Sequence, residues 1–173
     1  MNAPQAPEAA PEGFERVKTA LSAAGHPHAP VWLNDSARTA QQAADALGVA
    51  VGQIAKSVIF RRRSDEAAVL VITSGDRRVD AAKVSALVGP VGRADADFVK
   101  ARTGFSIGGV SPVAHSTPPV TLIDRELFRF EFIWAAAGHP HGVFKLSPAD
   151  LERLTSAPVH DVTEVVAASG VSP

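Results

Sequence analysis

The 173-residue sequence contains no cysteine. Disulfide staples, thiolate metal sites and a cysteine nucleophile are therefore excluded. It contains no apolar run near the roughly 20 residues that cross a bilayer, so no membrane partner is expected. Net charge is also small: 17 Lys and Arg against 18 Asp and Glu give a formal −1. A general DNA binder is strongly basic, so sequence-specific DNA binding is not expected. Contact with the end of a nucleic acid stays open, but tracking along a phosphate backbone does not fit this charge. The first residues, Met1–Gly13, are Ala/Pro/Glu-rich, with neither a basic n-region nor an apolar h-region. No secretory signal is read there, and the cytoplasm is the expected compartment.

What is present is a balanced apolar and charged composition, 46% against 20%, enough for one domain with a full core. The expected organisation is a disordered tail over 1–13, a single domain over 14–166, and a frayed end over 167–173. Apolar residues at Phe14, Val17, Leu21 and Ala24 predict a first helix, ended by Gly25. Thr39 with Gln42 reads as a capping box, opening a second helix that Gly48 ends. Asp80 and Asp95 are candidate caps of two more, and Ser147-Pro148 opens a fifth. Strands are expected near Val31–Leu33, Ser57–Arg61, Ala67–Thr73, Val113–Ala114, Val120–Ile123, Glu131–Ala136, Val143–Leu146 and Val159–Val162. Two pairs of them read as hairpins. Strands and helices alternate without regular βαβ units. The predicted fold is therefore α+β: a mixed, mostly antiparallel sheet, partly open and barrel-like, surrounded by helices.

The most constrained stretch is Thr103–Pro112, Thr-Gly-Phe-Ser-Ile-Gly-Gly-Val-Ser-Pro. Glycines allow positive φ and close approach, and Pro112 biases Ser111 towards extended backbone. This is either a tight turn without chemistry or a loop whose amides face a carbonyl oxygen or a phosphate. It follows a helix and does not open one, so neither a dinucleotide fingerprint nor a P-loop applies. Ser106 and Ser111 are read as loop hydrogen-bonders, and no nucleophile elbow is expected. Lys56 starts an apolar strand, Ile54-Ala-Lys-Ser-Val-Ile-Phe60. It is either an edge residue in water or a cation aimed into a pocket. The pairs His26/His28 and His139/His141 are each separated by proline. They are weak metal candidates, with Asp35 as a third ligand; His139 or His141 lining a substrate pocket is the stronger reading.

Five segments occur together in order. They are Ala37-Arg-Thr-Ala40, Ile54-Ala-Lys-Ser57, Ser74-Gly-Asp-Arg-Arg-Val-Asp80, Thr103-Gly-Phe…Gly-Gly-Val-Ser-Pro112 and Ala137-Gly-His-Pro-His-Gly142. As a set they resemble the YbaK/EbsC family, free-standing relatives of the editing domain inserted in bacterial prolyl-tRNA synthetase. The likeness runs from Phe14 to about Val162. It implies a barrel-like mixed fold and a deacylase that hydrolyses mischarged tRNA in trans, without a cofactor or a metal. The implied partners are the 3′-CCA end of an aminoacyl-tRNA and, secondarily, an aminoacyl-tRNA synthetase. Carried onto this chain, Lys56, Gly108 and Gly109 are the catalytic candidates. Phe105, Ser106, Ile107, Val110, Ser111, Pro112, His139 and His141 are the substrate-binding candidates. Members acting on cysteinyl-tRNA carry an aspartate where Val143 stands. The substitution points towards alanine, serine or threonine, on tRNA for proline. A non-catalytic tRNA-end or synthetase-binding module and a metal-dependent hydrolase are the competing readings.

Overall fold

The computed structural model describes residues 11–166. Most of the expected tail and the expected frayed end lie outside them. The part of the tail inside them is ordered: α1 runs Glu12–Ala23 and so begins before Phe14. Its buried stripe is Phe14, Val17 and Leu21, the face the spacing predicts.

The chain continues through β1 (Val31–Trp32), α2 (Ala40–Leu47), a 3-10 turn at Val51–Gln53, β2 (Ile54–Arg62) and β3 (Ala68–Ser74). Then come α3 (Ala81–Val88), β4 (Val91–Arg93), α4 (Ala96–Thr103), β5 (Val120–Asp124) and a 3-10 turn at Arg125–Arg129. The last elements are β6 (Ile133–Ala136), β7 (Gly142–Leu146), α5 (Pro148–Thr155) and β8 (Val159–His160). Two expectations are corrected. β4 had no sequence signal, since three residues with a central glycine lack periodicity. Val113–Ala114 is a loop, with Ala114 at φ +66°.

The strands form one sheet in the order β1-β7-β6-β2-β3-β5-β8, with β4 also on β2. The sheet is mixed and does not close. β2/β3, β2/β4, β6/β7 and β1/β7 are antiparallel; β2/β6, β3/β5 and β5/β8 are parallel. β3 is apolar without alternation from Ala68 to Ile72 and buried along its whole length, as a strand covered on both faces must be. Leu70 and Ile72 join the main core with α1, α4, α5 and the inner faces of β6 and β7. Val69 and Val71 face the other way, onto Val84 of α3. Ala43 and Ala44 of α2 pack on Ile54 and Trp134, where β2 meets β6.

That junction is short. β6 pairs β2 only at Ile54 and Ala55, and β4 picks up the same side of β2 at Phe60. From Lys56 to Ile59, β2 has β3 on one side and no strand on the other. An unpaired edge leaves main-chain donors and acceptors available to whatever fills the gap.

Candidate functional site

The gap beside β2 is a cavity of about 370 Å³. Ile54, Ala55, Lys56 and Ser57 supply one wall, and Trp134, Ala135 and Ala136 of β6 a second. Gly142 and Val143 of β7 add to it, the start of α2 contributes Ala40 and Ala43, and Ile107, Gly108 and Val110 complete it. Lys56 and the glycine loop, 52 positions apart from Lys56 to Gly108, therefore border one hollow.

Lys56 is half-buried and has neither an ion-pair nor a hydrogen-bond partner among the described residues. Burial, and then the neighbouring Arg78 charge, push its ammonium below the usual lysine range; Asp76 and Asp124 pull the other way. Next to it, the Ser57 hydroxyl is buried without any partner. A buried polar atom left unpaired is costly; Ser57 borders the cavity, with this oxygen closed off from solvent among the described residues.

The support for Lys56 comes from the Ser-Gly-Asp-Arg turn after β3. Ser74 Oγ donates to the Gly52 carbonyl, and Gly75 N donates to the Ile54 carbonyl (2.8 Å). A Cβ on Gly75 would collide with the Val51 carbonyl and Ala40. The turn thus locks the entry to β2 against the start of α2. Arg129 closes it by donating to Asp76 (2.8 Å) and Ser74 (2.7 Å), which holds the Asp76 carboxyl below its usual range despite partial burial. Buried Asp124 ties in β5, accepting from Thr73 Oγ1, Ser74 N and Glu126 N at 2.9, 3.0 and 2.9 Å.

The glycine loop divides two spaces. Gly109 N donates to the Ser106 carbonyl (3.0 Å), making a tight turn, so its amide is occupied. The amides of Gly108 and Val110 donate to no other group among the described residues. Gly108 has φ +93°, and a Cβ there would press on Arg38 Cγ at 3.3 Å; only glycine takes this position without strain. Gly109 lies so close to His139 that a Cβ would sit 2.9 Å from its backbone.

Behind the turn is a second cavity of about 290 Å³, bordered by Phe105, Ser106, Gly109, His139 and Lys100. Arg38 borders both cavities. It is held there because the segment before it is zipped to the His-Pro-His turn. Leu33 N donates to the His141 carbonyl (2.7 Å) and Ala37 N to the Pro140 carbonyl (2.6 Å). Thr39 and Gln42 then form the expected capping box of α2.

The candidates therefore separate. Lys56, Ile107, Gly108 and Val110 line the first cavity; Phe105, Ser106, Gly109 and His139 line the second. Ser111, Pro112 and His141 line neither. Ser111 is buried, and its hydroxyl accepts from Val113 N (3.1 Å). His141 stacks on Trp32 with ring centroids 5.1 Å apart, and its Nδ1 lies 2.8 Å from the Leu33 carbonyl. His139 stacks on the same indole at 4.8 Å, and its Nδ1 accepts from His141 N (3.1 Å). Burial first, then His141 and Arg38, lower its pKa. The neutral ring with Nε2–H is thereby favoured.

Gly104-Phe-Ser-Ile-Gly108 does carry Gly-x-Ser-x-Gly spacing, against expectation. That motif works as a nucleophile elbow between a strand and a helix. Here α4 precedes it and a turn follows, and no histidine is hydrogen-bonded to Ser106 among the described residues. Also among the described residues, no three His, Cys, Asp or Glu gather as metal ligands, and no helix is long and apolar enough to cross a membrane. Arg38 and Ser57 lie in two of the segments that carry the resemblance but are not among the expected site residues. Their signal was adjacency: Arg38 precedes the capping box and Ser57 follows Lys56.

Residues 34–154 match the aminoacyl-tRNA editing domain family. The Bacillus subtilis (strain 168) protein YwhH, described as uncharacterized, is 32% identical over 125 residues, 72% of this chain and 79% of that one. A crystal structure described as a candidate trans-editing enzyme for prolyl-tRNA synthetase is 40% identical, with TM-score 0.84, over 91% of this chain and 100% of that one. A structure from work on grafting epitope backbones onto scaffold proteins is 39% identical, with TM-score 0.83, over 90% of this chain and 99% of that one.

Proposed function

The chain belongs to the family of aminoacyl-tRNA editing domains, and from that premise we propose that it is a trans-editing deacylase. It hydrolyses the ester joining a wrong amino acid to the 3′-terminal ribose of a tRNA. The observation that carries this reading is the meeting of Lys56 with the unclaimed amides of Gly108 and Val110 around one small cavity.

An aminoacyl ester is already activated, so holding a water against its carbonyl supplies much of the acceleration. The water attacks the carbonyl carbon, and the electron pair moves onto the carbonyl oxygen. The Gly108 and Val110 amides receive that charge, an arrangement effective in a cavity withdrawn from bulk water. The intermediate then re-forms the carbonyl as the bond to the ribose oxygen breaks, and that oxygen takes up the proton given up by the attacking water. Lys56 fixes the ribose and ester end.

The amino-acid side chain rests among Ala40, Ala43, Ala135 and Val143. Among the described residues no carboxylate lines this cavity, so a cationic side chain would be buried unpaired. Small walls favour small residues, and steric exclusion rejects larger ones. The amino acid removed is thus a small one such as alanine, serine or threonine, and the likeness to a candidate trans-editing enzyme for prolyl-tRNA synthetase supports tRNA for proline as its carrier. A panel of tRNAs mischarged with these and with larger amino acids tests the reading. Turnover is expected on the small ones; absence of turnover on every member overturns it.

A further inference from the structure

The chemistry of the second cavity is unlike that of the first. Arg38 and Lys100 bring two cations to it, with His139 and the glycine backbone at Gly104, Gly109 and Gly138. The Arg38 guanidinium has no partner among the described residues. Lys100 Nζ donates once, to the Gly104 carbonyl at 3.1 Å, and keeps further donors free. Among the described residues Glu12 is the one carboxylate at the rim, and it is engaged with Arg16 at 2.9 Å. A cavity near 300 Å³ with a few convergent polar groups is of ligand-binding size.

The two cavities are separated by a single turn, Ser106–Gly109, and joined at a single cation, Arg38. A ligand seated in the first and continuing into the second passes along the Arg38 side chain, the residue that lines both. We propose that the second cavity is a subsite for the nucleotide preceding the aminoacylated one. The connecting phosphodiester sits at Arg38, and Lys100 with the His139 Nε2–H meets the polar groups of that penultimate residue. Arginine suits a phosphodiester because its fork can donate to two oxygens at once. This inference rests on the deacylase reading and adds to it. It also accounts for RNA-end binding by a chain of near-neutral charge, since one or two local phosphate contacts suffice.

The test uses amide-linked, non-hydrolysable analogues and the full chain. One ligand is alanyl-3′-amino-adenosine alone; the other carries a cytidylate joined at its 5′ side. The dinucleotide is expected to bind about tenfold tighter than the mononucleoside, the gain from a charge-assisted phosphate contact. Lys100→Gln, at an exposed side chain, is expected to lower dinucleotide affinity about fivefold or more, with unfolding temperature measured alongside. Equal affinity for the two ligands, or a dinucleotide affinity unchanged by K100Q, overturns the subsite while leaving the deacylase reading standing. Failure of both ligands to bind, together with no turnover on the mischarged panel, overturns both.

Discussion

A lysine half-withdrawn from water with no group in direct ion-pair or hydrogen-bond contact is unfavourable unless an anionic or strongly polar group comes to it. Lys56 is such a residue, and its lowered pKa is the same fact stated as titration. The cost of holding the charge is fully present below the folded pKa and fades as pH rises from the folded towards the unfolded value. Replacing Lys56 by methionine is therefore expected to raise the unfolding temperature by about 1–3 °C while abolishing deacylation. Calorimetry at pH 7 checks the first part and hydrolysis of mischarged tRNA the second. Lys56 was legible in the sequence because a cation opening an apolar strand breaks the pattern around it. Gly108 was legible as glycine-rich punctuation. Arg38 was legible only as part of the Ala37-Arg-Thr-Ala40 segment and not as a site residue, since an arginine before a helix looks like any solvated charge. What marks it is the pairing of Leu33 and Ala37 with residues more than 100 positions later, and no local pattern encodes that.

At the scale of elements, α2 is the vulnerable wall. It has eight residues, too few to be stable by propensity alone, and it depends on its Thr39/Gln42 capping box and on packing of Ala43 and Ala44. Thr39→Ala is expected to cost about 1 kcal/mol in chemical denaturation. Because Ala40 and Ala43 line the first cavity, kcat/KM should fall more than global stability implies, through a looser fit to the amino acid. The caps of α2, α3, α4 and α5 were readable one by one, because a Thr, Asp or Ser side chain bonding an amide two or three residues on is a local interaction. β4 and the loop at Val113–Ala114 were not. A three-residue strand exists only because β2 offers it an edge, and Ala114 takes a left-handed φ that its own type disfavours.

Across the whole molecule, two histidines tie stability to pH. His115 Nε2–H donates to the Ser111 carbonyl (2.6 Å), and burial is the main cause lowering its pKa below 6.5; His139 is lowered as well. Where folded pKa lies under unfolded pKa, the unfolded chain takes up protons first, so stability is full above 6.5 and declines as pH falls below it. The unfolding temperature should drop by about 2–5 °C between pH 7.5 and pH 5.5, and by less in His115→Asn. The mixed, incompletely closed sheet was legible from hairpin-linked strands without βαβ regularity. The place where it opens was not, because it follows from β6 releasing β2 after Ala55 and β4 rejoining at Phe60.

That opening gives the proposed chemistry its room, and Lys56 stands at its mouth. Single-turnover hydrolysis of alanyl-tRNA for proline, by wild type and by a folded Lys56→Ala variant, probes it directly. A loss of about 100-fold or more in the variant is expected for a charge that acts at the ester. A rate within twofold of wild type would contradict the assignment of this cavity as the place where the bond is cut.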